Sequence, residues 1–278
     1  MARFKASDGV EIYYDQWGRG SSGPPVLLHH GYVAHARANW VWPGIVRSLT
    51  SAGRRVIALD ARGHGRSGKP HDPAYYGEAK MAEDVSSLLD VLGLDEVDLV
   101  GYSMGAVVSL IVGSQEPRIR RLIIAGIGGN SVKLPGLRSR PIPRKALADA
   151  MLARSVTSLR HPSLIAFRLM ADVLWADRRA LAAQAMAFHG KRIPMERISA
   201  PTLVLAGRED PFATRPKLLQ QAIPGSELVL VSGNHTTTLA KSAFREPSSA
   251  SLPDRFSSAA QPRVFYRPAA TGSAPGST

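Results

Sequence analysis

A serine stands between two glycines in the segment Gly101-Tyr102-Ser103-Met104-Gly105. An apolar run that predicts a strand ends at the first glycine, and small and apolar residues that predict a helix follow the serine. This G-x-S-x-G spacing is typical of a tight strand-to-helix turn, in which glycines let backbone segments pass closely and the serine hydroxyl faces a substrate. The segment therefore predicts Ser103 as a nucleophile that attacks a carbonyl carbon.

A serine hydroxyl attacks efficiently only when a base takes its proton and a carboxylate orients that base. His235 is the candidate base, because it follows the last predicted strand, and Asp210 is the candidate acid in the loop after the preceding strand. Glu209 is the main competitor for the role of the acid. Loops at the carboxyl ends of parallel strands meet at one edge of a sheet, so Ser103, Asp210 and His235 are predicted to share that edge.

The attack creates a negatively charged oxygen, which requires hydrogen-bond donors that are already in position. We predict two backbone N–H donors for this oxyanion, one from Met104 at the start of the helix and one from Tyr32 in the loop after His30-Gly31. Such donors are each worth roughly a hundred- to thousandfold in rate. The side chains of Tyr32 and Met104 are then available to line a substrate pocket.

Apolar runs bounded by turn residues predict the elements that position these groups. The predicted strands are 9–17, 26–30, 55–60, 97–101, 121–125, 202–206 and 227–231. The predicted helices are 39–52, 78–92 and 104–116, with one more between the last two strands. Strands that alternate with helices favour an α/β protein with a mostly parallel central sheet and helices on both of its faces.

The alternation stops after the fifth predicted strand, and residues 145–190 have a helical pattern almost throughout. We therefore expect a core formed by residues 1–130 and 198–246, interrupted by a helical cap at 131–197. Residues 247–278 are rich in Ser, Pro, Ala and Gly, a composition that predicts a disordered tail. The apolar residues of the cap, which either fill its own core or face a substrate, are Met151, Leu152, Leu164, Phe167, Leu169, Met170, Leu174, Trp175, Met186 and Phe188.

The chain is strongly basic, with a formal net charge of +13, and residues 118–145 hold eight Lys or Arg and no Asp or Glu. This stretch has no interleaved aromatic residues, no zinc-ligand spacing and no helix-turn-helix pattern. An arginine-rich solvated surface is therefore favoured over a specific nucleic-acid site. The expected partner is a small-molecule substrate, and the oligomeric state stays open.

The 278 residues contain no cysteine, which excludes disulfides and thiolate metal sites. Neither a metal nor a cofactor is expected. No apolar run approaches the roughly 18 residues needed to cross a bilayer, and the N-terminus turns polar before the core of a signal peptide could form. These features favour a cytoplasmic protein.

Several motifs follow one another along the chain. They are His30-Gly31, the segment Asp60-Ala61-Arg62-Gly63-His64-Gly65-Arg66-Ser67, the turn around Ser103, Gly207-Arg208-Glu209-Asp210, and Gly233-Asn234-His235. In order and approximate spacing they resemble the α/β-hydrolase superfamily, in its single-domain esterase, perhydrolase and carbon–carbon hydrolase branch. The resemblance covers about residues 8–245 and implies the α/β-hydrolase fold. It also implies that Asp60 and His64 brace loops and take no part in the reaction.

The resemblance narrows the chemistry, because haloalkane dehalogenases and epoxide hydrolases carry Asp at the position of Ser103 and dienelactone hydrolases carry Cys. It implies carboxylic esters, thioesters, lactones, amides, carbon–carbon bonds beside a carbonyl, or perhydrolysis. We expect a serine hydrolase that cleaves a small, apolar carboxylic ester through an acyl-enzyme. An acyltransferase or a cofactor-free perhydrolase on the same residues, and a non-catalytic binding protein with this fold, are the alternatives. The sequence departs from the family after His235, where Pro247 stops the closing helix that begins at Thr236.

Overall fold

Buried apolar runs form one central sheet in the computed structural model, which describes residues 2–21, 23–129, 142–188 and 191–239. The strands are β1 (Ala2–Lys5), β2 (Glu11–Trp17), β3 (Val26–His29), β4 (Val56–Asp60), β5 (Val97–Tyr102), β6 (Ile119–Ala125), β7 (Thr202–Gly207) and β8 (Glu227–Val231). They lie in the order β1-β2-β4-β3-β5-β6-β7-β8. All pairs from β4 to β8 are parallel, whereas β1 pairs with β2, and β2 with β4, in antiparallel orientation. The mostly parallel sheet predicted from the sequence is confirmed.

Helices cover both faces of the sheet. They are α1 (Ile45–Ser51), α2 (Glu78–Val91), α3 (Met104–Gly113), α4 (Arg144–Leu152), α5 (Pro162–Val173), α6 (Arg178–Met186) and α7 (Pro216–Ala222). Successive strand residues point to opposite faces, so Val26 and Leu28 of β3 pack with α1, while Leu27 packs with α2 and α3. All three side chains are fully buried. Burial on both faces explains why such a strand is an unbroken apolar run in the sequence.

The structure differs from the predicted elements in two places near the N-terminus. Strand β1 was not predicted, because Phe4 is the one buried residue of this short edge strand and gives too little alternation to detect. The predicted helix 39–52 is wrong in its first half, where a π-helical turn at Arg37–Val41 precedes α1. Pro43 cannot donate a backbone hydrogen bond, and Gly44 has a φ of 85°, so the two residues separate the turn from α1.

Three helices lie between β6 and β7, in the stretch where the sequence predicts a cap. Helix α5 begins at a proline, which suits the first turn of a helix because its missing N–H would have no partner there. Helix α6 begins after Asp177, whose carboxylate accepts the N–H groups of Arg179 and Ala180, both at 3.0 Å. No helix in the described ranges combines the length and the apolar composition that a membrane crossing requires.

Several predicted features lie partly or wholly outside the described residues. They include the start of the cap, the tail at 247–278, and most of the helix predicted from Thr236, of which the described residues form a turn. The boundaries 131–197 for the cap, and 1–130 with 198–246 for the core, therefore stay predictions.

Carboxylates from elsewhere in the chain pair with the first arginines of the basic stretch. Arg118 lies 2.7 Å from Glu116 and 2.6 Å from Asp90, and Arg120 lies 2.5 Å from Asp98. The Asp98 side chain is fully buried. These two arginines thus form ion pairs within the protein and are not an open row of cations.

Candidate active site

The turn around Ser103 joins β5 to α3 and holds the serine in an unusual backbone conformation. Ser103 has a φ of 55° and a ψ of −113°, outside the regions that L-residues normally occupy. A Cβ atom at Gly101 would lie 2.3 Å from the carbonyl oxygen of Gly105, and one at Gly105 would lie 2.1 Å from that of His29. Both glycines are therefore needed for the turn, and a strained serine in this place is typical of a nucleophile.

Three of the residues singled out in the sequence come together at the carboxyl edge of the sheet. Ser103 follows β5, Asp210 follows β7 and His235 follows β8. The Nε2 atom of His235 lies 3.0 Å from Oγ of Ser103, and its Nδ1 atom lies 2.8 Å from Oδ2 of Asp210. The Asp210 side chain is fully buried, and that of His235 is 15% exposed. In this geometry Nδ1–H donates to the carboxylate, which leaves Nε2 to accept from the serine hydroxyl.

The two adjacent carboxylates in the loop after β7 have different partners. Besides contacting His235, Asp210 accepts the backbone N–H of Phe212 on Oδ1 at 2.8 Å. Glu209 is exposed and accepts a hydrogen bond from the backbone N–H of Gly233. Glu209 therefore ties two loops together, and Asp210 is the carboxylate of this pair that contacts the imidazole.

Two aromatic residues hold the imidazole of His235. The ring centroid of Phe212 lies 4.6 Å from that of His235, and the centroid of Tyr102 lies 5.3 Å from it. The Tyr102 hydroxyl also donates a hydrogen bond to the backbone carbonyl of His235. Burial raises the pKa of Tyr102 above its ordinary value, so this hydroxyl keeps its proton at neutral pH.

The two residues predicted to supply oxyanion donors lie in backbone segments next to Ser103. Met104 opens α3, and Tyr32 follows Gly31, where a Cβ atom would lie only 3.2 Å from that of Ser103. The N–H of Gly31 is already donated to Oδ1 of Asn39 at 2.8 Å. Neither the N–H of Tyr32 nor that of Met104 has an acceptor among the described residues, so both can serve a ligand.

Helix α6 of the cap contacts the side chains of both donor residues. The hydroxyl of Tyr32 donates to the carbonyl oxygen of Leu181 at 2.8 Å, and Nε2 of Gln184 lies 3.8 Å from Sδ of Met104. Tyr32 and Met104 are both buried. The cap is therefore coupled directly to the backbone segments that face the serine.

The turn after β4 is held by hydrogen bonds to the backbone. Asp60 accepts the N–H groups of Ala36 and Arg66, both at 2.8 Å. The Nδ1 atom of His64 donates to the carbonyl oxygen of Arg62 at 2.9 Å. Both side chains brace loops, which is the structural role that the family resemblance implies for them.

His30 braces the loop that carries Tyr32. Its Nδ1 atom donates to the carbonyl oxygen of Gly31 at 2.8 Å, and its Nε2 atom accepts the N–H of Ala61 at 2.9 Å. Burial lowers the pKa of His30 well below its ordinary value, and the nearby His64 lowers it further. A neutral ring is required here, because Nε2 must accept while Nδ1 donates.

A cavity of about 260 Å³ opens beside Ser103 and His235. Its walls include Asn39, Trp42 and Tyr102 from the core and Phe167, Met170 and Leu174 from the cap. None of its described lining residues is Lys, Arg, Asp or Glu. Three of the apolar cap residues singled out in the sequence thus face the cavity and are not buried in a core of the cap alone.

A second cavity of about 430 Å³ also borders His235. Phe167, Phe212 and His235 are among its walls. The rings of Phe167 and Phe212 pack edge to face, with centroids 5.7 Å apart. His235 therefore borders two apolar spaces, one of which contains the serine.

Known proteins are similar to parts of this chain. A sequence model of the alpha/beta hydrolase fold matches residues 24–149. A non-heme haloperoxidase from Rhodococcus erythropolis is 42% identical over 103 residues, which make up 36% of this chain and 34% of that protein. A 2-hydroxy-6-oxo-2,4-heptadienoate hydrolase from Pseudomonas putida is 36% identical over 135 residues, 48% of this chain and 47% of that protein. The chain therefore spans about a third to a half of the length of these curated relatives.

The likeness extends further in three dimensions. An enol-lactonase from Burkholderia xenovorans LB400 matches with a TM-score of 0.65 and 26% sequence identity, covering 85% of this chain and 93% of that one. This chain has the α/β-hydrolase fold, and its residues 24–149 match the sequence model of that superfamily. The resemblance that the motifs carry is confirmed at the level of the superfamily and of the fold.

Three residues that shape this site were not identified from the sequence. Asn39 accepts the N–H of Gly31, Phe212 packs on His235, and Tyr102 holds the backbone of that histidine. Tyr102 could have been found, because it precedes the serine in the G-x-S-x-G motif. Asn39 and Phe212 carry no motif, and they reach the site only through the tertiary fold.

Proposed function

We propose that this α/β hydrolase cleaves small, apolar carboxylic esters through an acyl-enzyme formed on Ser103. The observation that carries the proposal is the chain of hydrogen bonds from Asp210 through His235 to the serine hydroxyl, with distances of 2.8 and 3.0 Å. A serine becomes nucleophilic when a base lies within hydrogen-bond reach of its hydroxyl and a carboxylate orients that base.

In the first half of the reaction, Nε2 of His235 takes the proton of Ser103 while Oγ bonds to the carbonyl carbon of the ester. The N–H groups of Tyr32 and Met104 stabilise the oxyanion that forms, and Asp210 stabilises the imidazolium. The bond from the carbonyl carbon to the alcohol oxygen then breaks. The proton passes from Nε2 to that oxygen, so the alcohol leaves and the acyl group stays on Oγ.

Water completes the cycle. His235 takes a proton from the water molecule while the water oxygen bonds to the acyl carbon. The bond between that carbon and Oγ of Ser103 breaks, and Nε2 returns the proton to Oγ. The carboxylic acid is released, and the site regains its starting protonation state.

The composition of the cavity walls favours a substrate with a small and uncharged acyl group. Phe167, Met170 and Leu174 give it an apolar surface, and its described lining residues include no Lys or Arg. A substrate carboxylate would lose its hydration there without gaining a cationic partner, which costs free energy. A neutral ester therefore fits this cavity better than an anion such as the heptadienoate in the name of the Pseudomonas putida relative.

Perhydrolysis is the second candidate, and the name of the non-heme haloperoxidase from Rhodococcus erythropolis favours it. Hydrogen peroxide would replace water as the nucleophile that attacks the acyl carbon on Ser103. His235 would accept the peroxide proton, and a peroxycarboxylic acid would leave without any cofactor. Adding peroxide during ester turnover tests this route, because formation of peroxy acid at the expense of carboxylic acid would support it.

A panel of p-nitrophenyl esters of increasing acyl length tests the proposed hydrolysis. We expect turnover with an optimum at short acyl chains and loss of turnover in Ser103→Ala. Ser114→Ala is the matched control, because Ser114 follows the far end of α3 and its hydroxyl donates to the carbonyl of Ile111 at 2.8 Å. A fluorophosphonate probe should label the wild type and Ser114→Ala but not Ser103→Ala.

The same experiment separates an enzyme from a non-catalytic binding protein with this fold. A folded wild type that neither turns over any ester nor reacts with the probe would contradict the proposed function. Labelling of Ser103 without ester turnover would instead point to another acyl substrate for the same nucleophile.

A further inference from the structure

Helix α5 of the cap turns an apolar face outward and a cation inward. Pro162, Ala166, Leu169 and Val173 recur at helical spacing and are all exposed, with Leu169 at 47% and Val173 at 74%. Arg168 is only 4% exposed and pairs with Asp172 on the same helix. A helix on the surface of a water-soluble domain normally has the opposite arrangement, so this face is built for a contact.

Trp175 extends the outward face just beyond the end of α5. It is 94% exposed, although tryptophan is rarely left in water. Its φ of 52° is left-handed, and the N–H of the next residue, Ala176, bonds to the carbonyl of Ala171 at 2.9 Å. This is the helix-ending position that glycine normally occupies, because a side chain there is strained. The fold thus holds a large apolar ring in solvent at a position that disfavours any side chain.

The same surface continues to the mouth of the cavity that contains Ser103. Val173 lines that cavity together with Trp42, and Trp42 is itself 66% exposed. We call Trp42, Leu169, Val173 and Trp175 the apolar rim. Whatever binds the apolar rim lies directly at the entrance to the serine.

Cations lie at both ends of α5. Arg154, Arg160 and Arg179 are exposed, and no carboxylate among the described residues lies within ion-pair distance of them. Arg178 donates to the carbonyl of Ala153 at 3.2 Å, which brings the segment around Arg154 to the end of α5 that carries Trp175.

The carboxylates near α5 have other partners. Asp172 pairs with Arg168, and Asp177 caps α6 and lies 2.9 Å from His71. The apolar rim is therefore flanked by positive charge.

Electrostatics distinguishes between the candidate occupants of this face. Two segments of this chain outside the described residues are candidates. Residues 130–141 contain three Lys or Arg and no Asp or Glu, and residues 240–278 contain five Lys or Arg and two Asp or Glu. A second copy of the chain, with its net charge of +13, also has the same sign as the surroundings of the rim. Like charges repel, so neither segment nor a second copy is complementary to it. An anionic surface with an apolar interior satisfies both the arginines and the exposed rings.

We propose that the apolar rim docks on anionic phospholipid bilayers. Tryptophan prefers the level of the lipid headgroups, where Trp42 and Trp175 would lie, while Leu169 and Val173 would reach the acyl chains. The flanking arginines would face lipid phosphates, which attract basic residues near a membrane surface. The mouth of the Ser103 cavity would then open onto the bilayer. Docking does not depend on the proposed ester hydrolysis, because it requires no reaction.

The test is flotation of the full chain with phosphatidylcholine vesicles, with and without phosphatidylglycerol, in the Ser103→Ala background so that no lipid is cleaved. We expect binding only to the vesicles that contain phosphatidylglycerol, together with a blue shift of tryptophan fluorescence. Leu169→Ser combined with Trp175→Ser should weaken binding at least about tenfold at unchanged net charge. Val91→Ser is the matched control, because Val91 is 54% exposed at the end of α2, away from the carboxyl edge.

Two results would overturn the proposal. Equal binding by wild type and the Leu169→Ser, Trp175→Ser variant would mean that a net positive charge alone attracts the vesicles. Failure of wild type to bind either vesicle type would mean that the rim has no affinity for lipid. Light scattering in solution adds a third check, since a dimer that dissociates in the double variant would assign the rim to a contact between copies and contradict docking on lipid.

Discussion

The Nε2 atom of His235 lies 3.0 Å from Oγ of Ser103, although the two residues are 132 positions apart in the sequence. Strands β5 and β8 both end at the carboxyl edge of the sheet, which brings the loops that follow them together. Tyr102 at the end of β5 and Phe212 in the loop after β7 then pack against the imidazole. The contact between Ser103 and His235 therefore depends on the whole sheet.

Replacing Asp210 tests whether it is the carboxylate that orients His235. Asp210→Asn should lower kcat for ester hydrolysis by roughly ten-thousandfold, because an amide can donate to Nδ1 and favour the wrong tautomer of His235. Glu209→Gln should change kcat little, since Glu209 bonds to the backbone of Gly233 and not to the ring. Steady-state kinetics on one p-nitrophenyl ester measures both. Equal losses in the two variants would contradict the assignment of Asp210.

Loosening the contact between α6 and the loop that carries Tyr32 should affect the chemical step. Tyr32→Phe removes the hydrogen bond to the carbonyl of Leu181, which is worth about 1 kcal/mol. If that bond positions the Tyr32 N–H, kcat should fall about fivefold while KM changes less. Tyr75→Phe is the control, because Tyr75 is 40% exposed and does not line the cavity. A change in KM alone would assign Tyr32 to substrate binding instead.

Buried histidines should make stability depend on pH. Burial lowers the pKa of His29 and of His64 from 6.5 to about 4. Below pH 6.5 the unfolded chain therefore binds protons that the folded chain does not, so the free energy of unfolding falls as the pH drops towards 4. Each histidine contributes up to about 1.4 kcal/mol per pH unit in that window.

Chemical denaturation at several pH values between 7 and 4, a range set by those shifts, measures this slope. His64→Gln should give a shallower slope, while His161→Gln, whose ring is exposed on the cap, should keep that of the wild type. An unchanged slope in His64→Gln would show that other groups account for the pH dependence.

Relieving the backbone at the end of α5 should stabilise the protein. Trp175→Gly removes a side chain from a left-handed position and exposes almost no new surface, so the free energy of unfolding should rise by up to about 1 kcal/mol. Val173→Gly, two residues earlier in helical conformation, should lower it by less than about 0.5 kcal/mol. Thermal denaturation compares the two. A loss of stability in Trp175→Gly would mean that the ring makes a stabilising contact.

The local patterns in the sequence predicted most of the elements. Strand β5 and the start of α3 were recognisable because an apolar run, two glycines and a run of small residues follow one another around Ser103. The predictions were wrong where one or two residues decide the backbone, as at Pro43 and Gly44, or where a strand is short and lies at an edge, as for β1. Such features have too little periodicity to stand out from a coil.

The sequence by itself determined the fold and its resemblance to the superfamily, because a serine in a glycine turn and the ordered motifs are local features that can be recognised without a structure. Only the tertiary structure decided which partners meet. It separates Asp210, which contacts His235, from the adjacent Glu209, which does not. It also brings Asn39 and Phe212 to the site and turns Leu169 and Trp175 outward. The physical reason is that these contacts depend on the direction of side chains across elements distant in sequence, and spacing along a chain does not encode such directions.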